Sequence, residues 1–325
     1  MHNKPKYLKK YLKNRLINHV PSEASNIFLF ALRRGGSTLL AEAIAGEPGV
    51  CFFNEPLACF KEHKEYEERI TWLPLLPDSQ FFDLSSNHQQ KLEIYIKNLL
   101  MGNLLQLSNS TKPKFFLKTN RVLMKILNAP FLVDWFSNIQ PCQIIFLSRH
   151  PASQTLSVLR NKWSWSAVTY FSNVEFMSKY FTSYQISFGQ SILSEATEWE
   201  KGILNWIIET YFPLYLTKSE VFHVTYEELV LNNLKIMSNI RNYLKLNRHL
   251  SNICKTFDKP SSSSIMSDNL SIQMLEKGNR NFLINKWQHQ ITKEQAKQGQ
   301  RILDVFNVDI YSMYDPLPLT ENTQI

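Results

Sequence analysis

Apolar residues in this chain gather in short runs bounded by polar turns, not in long spans. Five runs stand out: Asn26 to Leu32 (NIFLFAL), Val50 to Phe53 (VCFF), Phe115 to Lys118 (FFLK), Gln143 to Leu147 (QIIFL) and Val221 to Thr225 (VFHVT). Their length and their β-branched and aromatic content predict strands. The stretches between them carry helical spacing: 39–45, 89–107, 121–136 with a break near Pro130, 152–159, 195–216, 233–244 and 293–306. Strands alternating with helices predict an α/β fold, with a central parallel sheet flanked by helices. The serine-rich loop Lys259–Ser264 does not divide the chain, because aromatic and apolar residues continue on both sides. A single domain over residues 23–325 is the expected organisation.

Charge sets residues 1–22 apart. The 36 basic and 28 acidic residues leave a net charge of +8, yet Lys4, Lys6, Lys9, Lys10, Lys13 and Arg15 all precede the first acid, Glu23. Without those six the body is nearly balanced, so the basicity belongs to a tail and does not mark a nucleic-acid footprint. Leu8, Leu12, Leu16 and Val20 recur at helical spacing among the cations. The segment therefore reads as an amphipathic helix that packs on the body, or that meets an anionic membrane surface through residues 4–20. It lacks the apolar core and cleavage site of a secretory signal, and no stretch has the roughly 18 apolar residues of a membrane span. Cys51, Cys59, Cys142 and Cys254 are scattered with no CxxC pair, the usage of a reducing, cytoplasmic compartment. Oligomeric state is not written in these features.

Two segments carry candidate chemistry. The first predicted strand runs into Arg33-Arg34-Gly35-Gly36-Ser37-Thr38, and a helix follows. That geometry aims free backbone N–H groups and a positive helix end at one point, where a phosphate fits. The loop is not a Walker A motif: its basic residues precede the glycines, and no lysine stands where a triphosphate needs one. The second segment is Ser148-Arg149-His150-Pro151 with Ser157 beyond it. Arg149 stands at the carboxyl end of the strand 143–147, and Ser157 lies about two helical turns on. An arginine fork and a hydroxyl at that spacing suit a further phosphate. His150 reads as a turn histidine satisfied within the fold.

Together these segments resemble the sulfotransferases that use 3′-phosphoadenosine 5′-phosphosulfate (PAPS). Arg34-Gly35-Gly36-Ser37-Thr38 is similar to that family's 5′-phosphosulfate loop, with Gly35 where serine or threonine is usual. Arg149 to Ser157 keeps the spacing of its 3′-phosphate segment. Thr225-Tyr226-Glu227-Glu228-Leu229 resembles the segment whose tyrosine lies near the adenine. Lys277-Gly278 followed by Trp287 resembles the C-terminal element that closes over the 3′-phosphate; Glu276 stands there where a basic residue is common, which shifts that contact to Lys277 or Arg280. The resemblance spans residues 27 to about 290 and implies the P-loop nucleotide-binding type of α/β fold. It implies PAPS as co-substrate, no metal, and transfer of a sulfuryl group to an acceptor hydroxyl.

The resemblance also implies site residues. Cofactor contacts fall on Arg33, Arg34, Gly35, Gly36, Ser37, Thr38, Arg149, Ser157, Tyr226, Lys277 and Gly278. Arg34 would stabilise the leaving group electrostatically, since arginine does not give up its proton. Lys118-Thr119-Asn120 lacks the histidine base of the cytosolic class. Phe52-Phe53-Asn54-Glu55-Pro56 is instead similar to the carbohydrate and protein-tyrosine classes, which makes Glu55 the candidate base and Lys118 a second cation. A Glu-Pro that only caps the next segment is the other reading of Glu55. The crowded rings Trp163, Trp165, Tyr170, Phe171, Phe176, Phe181 and Tyr184 form either an apolar floor for a carbohydrate or lipid acceptor or the core of a helical cap. A P-loop small-molecule kinase and a non-catalytic nucleotide-binding module are the rival functions.

Overall fold

The strands that the apolar runs encode assemble into one parallel sheet. The protein is described by a computed structural model over residues 12–57, 82–105, 108, 115–262 and 269–319. In chain order the strands are β1 (Asn18–His19), β2 (Asn26–Ala31), β3 (Val50–Asn54), β4 (Lys118–Thr119), β5 (Arg121–Ile126), β6 (Cys142–Ser148) and β7 (Val221–Thr225). Five of them form the main sheet in the order β3-β5-β2-β6-β7, all parallel, and β1 pairs with β4 in a small parallel ribbon. From β2 the chain first builds one side of the sheet and then crosses to the other at β6. The loops after β2 and β6 are therefore neighbours at the carboxyl edge, where open sheets of this kind bind ligands.

Both sheet faces are covered. Phe28, Phe30, Phe53, Met124 and Phe146 point to one face, under the helices Ser86–Leu100 and Val133–Ile139. Ile27, Leu29, Leu123, Ile145 and Leu147 point to the other, under Ser37–Ala45 and Asn233–Tyr243. A third cluster, built from Glu198–Trp206, Lys293–Val305 and the short helices at 167–178, caps the carboxyl edge with Trp206, Trp287, Tyr170 and Tyr311 at its centre.

The α/β fold with a central parallel sheet flanked by helices is as the sequence implies, but five elements differ from it. Residues 121–126 form β5, not a helix. The sequence Arg-Val-Leu-Met-Lys-Ile is rich in helix formers and shows no alternation, because every residue of the strand is buried between β3 and β2. The run 115–117 is not a strand, and Lys118 belongs to the ribbon instead. Residues 12–20 are not one amphipathic helix: a helical turn at 12–14 gives way to β1, and Leu12, Leu16 and Val20 are all exposed. Lys4 to Lys10 lie outside the described residues. The helix read over 195–216 begins at Glu198 and passes through a π-turn at Ile207–Tyr211, and the helix read over 89–107 runs Ser86–Leu100.

Candidate active site

The loop after β2 is tight at both glycines. A Cβ on Gly35 would lie 2.9 Å from the Leu32 carbonyl oxygen, which leaves no room for the usual serine or threonine without a backbone shift. Gly36 caps the helix Ser37–Ala45 at a φ of 91°, and a Cβ there would lie 2.4 Å from the Tyr226 ring. No side chain caps this helix start, so its first N–H groups are left to an anion. Arg34 also sits in the left-handed region, at a φ of 65°.

Residues from the neighbouring loop close on this one. Arg149 Nη1 donates to the Arg34 carbonyl oxygen at 3.0 Å, and its guanidinium lies 4.3 Å over the Tyr226 ring. Arg34 Nε donates to Ser157 Oγ at 3.0 Å. Burial, then the nearby charges of Arg149 and Arg160, push the Arg34 pKa down from its ordinary value. Three guanidinium groups crowded at one point raise a local positive potential that suits an anion. The cleft is lined by Arg34, Arg149, Ser153, Ser157 and Arg160 on one wall, with Lys286, Trp287 and Gln290 on the other. Arg149 Nε is buried with no hydrogen-bond partner among the described residues.

The rest of the site lies one and two strands over, on β5 and just after β3. Glu55 follows β3 in the left-handed region, at a φ of 53°, immediately before Pro56. Its carboxylate pairs with Lys125 of β5 at 2.7 Å, and the same ammonium donates to Thr38 Oγ1 at 3.1 Å. One buried cation thus ties the candidate base to the loop 33–38. Lys125 is absent from the sequence reading because a lysine in a run taken for a helix looks like a solvated position. In a strand, the register Leu29↔Lys125↔Asn54 puts it at the carboxyl edge.

Several residues named from sequence are placed elsewhere. Lys118 is exposed on β4, at the opposite end of the sheet. Seven residues separate it from Lys125, about 23 Å of extended chain. Arg33 turns away from the cleft, donating to the Ser164 carbonyl oxygen at 2.9 Å beside Trp163. Lys277 and Gly278 are exposed and outside the lining, as is Glu276. Arg280 is held by Asp258 at 3.0 Å and by the Val230 carbonyl oxygen. The C-terminal wall is supplied instead by Lys286, whose ammonium donates to Ser271 Oγ. His150 is fully buried, as a turn histidine should be: it stacks on Trp287 and accepts from the Ala152 N–H, and burial lowers its pKa to about 4. Of the crowded rings, Trp165, Tyr170, Phe171, Phe176 and Phe181 are core. Trp163 is half-buried, facing Arg33 and Arg34.

The profile of the sulfotransferase domain matches residues 24–315. The chain belongs to the sulfotransferase family. Its activity is accordingly transfer of a sulfuryl group from PAPS to an acceptor. No curated protein sequence matches this sulfotransferase. Among solved structures it is similar to mouse sulfotransferase SULT7A1 complexed with PAP, at 16% identity and a TM-score of 0.40, over 91% of this chain and 88% of that one. It is also similar to the sulfotransferase domain of the Synechococcus PCC 7002 olefin synthase, at 16% identity and a TM-score of 0.42, over 90% and 100% of the two chains. Retinol dehydratase in complex with retinol and PAP matches at 14% identity and a TM-score of 0.39, over 94% and 86%.

Proposed function

We propose that Glu55 is the general base of this sulfotransferase and that Arg34 and Lys125 stabilise the departing phosphate. The acceptor oxygen attacks sulfur and gives its proton to the Glu55 carboxylate. The bond from sulfur to the 5′-phosphate oxygen breaks, its electron pair stays on that oxygen, and adenosine 3′,5′-bisphosphate leaves. A positioned base serves the first event and fixed cations the second. The observation that carries this reading is the single ammonium of Lys125 held between Glu55 and Thr38. It keeps the carboxylate at the loop that would hold the phosphosulfate.

Ser37, Thr38 and the helix start hold the 5′ end of the nucleotide. Arg149, Ser157 and Lys286 hold its 3′-phosphate, with Tyr226 at the adenine. The acceptor is a carbohydrate or lipid alcohol that lays an apolar face on Trp163, the ring left beside the loop arginines. Residues 23–325 act as one catalytic domain. A reducing, cytoplasmic compartment suits Cys51, Cys142 and Cys254, which are free thiols.

The test is calorimetric binding of adenosine 3′,5′-bisphosphate against ADP with and without magnesium. Metal-independent preference for the bisphosphate, lost in Arg149→Ala, is the expected result. Tighter binding of magnesium–ADP, indifferent to Arg149, would overturn the reading in favour of a kinase.

A further inference from the structure

A buried carboxylate lies behind the nucleotide cleft and takes no part in the chemistry above. Glu227 is 1% exposed. A charge at that depth must be fully satisfied or it destabilises the fold. One of its oxygens accepts from the His150 N–H at 3.0 Å, the other from the Tyr311 hydroxyl at 2.7 Å, and Arg149 is the cation that faces it. Neither Glu227 nor Tyr311 lines the cleft.

The same C-terminal segment holds the two residues that flank Arg149. His150 Nε2 donates to the carbonyl oxygens of Ser312 at 2.9 Å and Asp315 at 3.1 Å. Ser148 pairs with His223 Nε2 at 2.9 Å, and its hydroxyl also reaches the Tyr311 phenol. Arg149 itself has its carbonyl oxygen fixed by Trp206 Nε1 at 2.8 Å. The opposite wall is tied in as well, since Trp287 stacks on the His150 ring with centroids 4.2 Å apart. Residues 311–315 thus reach Ser148, His150 and Glu227 around Arg149, while Ser312 Oγ and the Met313 N–H anchor the segment on Gln300 of the helix Lys293–Val305.

We infer that Tyr311 and Glu227 are positioning residues for Arg149, through which the C-terminal segment 311–315 sets the grip on the 3′-phosphate. The inference rests on the role given to Arg149 above. Tyr311→Phe isolates it, because the ring keeps its edge contacts with Trp206 and His150 and only the hydroxyl, with its bonds to Glu227 and Ser148, is lost.

The experiment compares adenosine 3′,5′-bisphosphate with adenosine 5′-monophosphate, which lacks the 3′ group, on the wild type, Tyr311→Phe and Glu227→Gln. In Tyr311→Phe the bisphosphate should bind about tenfold more weakly and the monophosphate as in the wild type, the signature of a lost charge-assisted hydrogen bond behind one subsite. The KM for PAPS should rise while kcat at saturation holds. Glu227→Gln should shift the same two quantities in the same direction. Wild-type affinities for both nucleotides in Tyr311→Phe would overturn the inference, and so would an equal loss of both, which marks general loosening. A wild type that does not prefer the bisphosphate overturns the role of Arg149 itself, and is seen before any variant is made.

Discussion

At Gly36 the backbone turns left-handed and the Tyr226 ring occupies the space of a β-carbon. Gly36→Ala should therefore lower stability by about 1–3 kcal/mol and abolish nucleotide preference, since Tyr226 must move; thermal unfolding and calorimetry read the two effects. Glu55 and Arg34 hold the same unfavourable region without being glycine, and such strain persists where the surroundings impose it. For Glu55 the surroundings are Lys125 and Pro56. Glu55→Gln keeps the shape and removes the base, so kcat should fall by roughly 10²–10⁴ with bisphosphate affinity retained. A fall smaller than tenfold would assign the proton to another group. The tight turn at 33–38 into a helix start was legible from residue types alone. Arg33 was not, because two adjacent arginines look alike until the turn sends one to Ser164 and the other to Ser157.

At the scale of elements, the sequence betrays strands that are apolar throughout and hides the one that buries charged residues. β6 and β2 announce themselves, whereas β5 contains Arg121 and Lys125, both buried. Arg121 satisfies its guanidinium on the carbonyl oxygens of Ser25 and Leu244 and on Gln143. Burial holds its pKa down to about 10. Such paired burial is a tertiary fact that no local pattern contains, and it hides that Lys125, not Lys118, is the lysine beside Glu55. Lys125→Met should consequently lower kcat by at least tenfold, the scale of one lost transition-state contact, while Lys118→Met leaves it unchanged. A similar displacement affects the C-terminal wall. The Lys277-Gly278 pair follows the helix Asn269–Glu276, which meets the cleft at Ser271, and the basic residue of that wall comes further along, at Lys286. Lys286→Ala should weaken bisphosphate binding about tenfold and Lys277→Ala should not; the reverse order would restore the resemblance-based assignment.

Across the whole molecule, His150, fully buried at the carboxyl edge, and His223, half-buried in β7, make stability depend on pH. Burial lowers the pKa of both His150 and His223 to about 4, against about 6.5 in an unfolded chain. Between those values the unfolded state binds more protons than the native one, so stability falls as pH drops from 6.5 toward 4. Each histidine contributes up to roughly 3 kcal/mol over that window. Asp134, whose pKa is lowered despite burial by donors from Thr217, Lys218 and Ser219, is lost in the same direction at lower pH. Glu227, raised by burial, acts oppositely. Urea midpoints should thus be level above pH 7 and decline steadily below it. His223→Gln, which keeps a partner for Ser148, should flatten the slope between pH 6.5 and 5, with His150 and the half-buried His19, whose pKa burial also lowers, carrying the rest. An unchanged slope would mean that His223 is protonated in the folded enzyme, and that the Ser148 end of the Arg149 support is open to water.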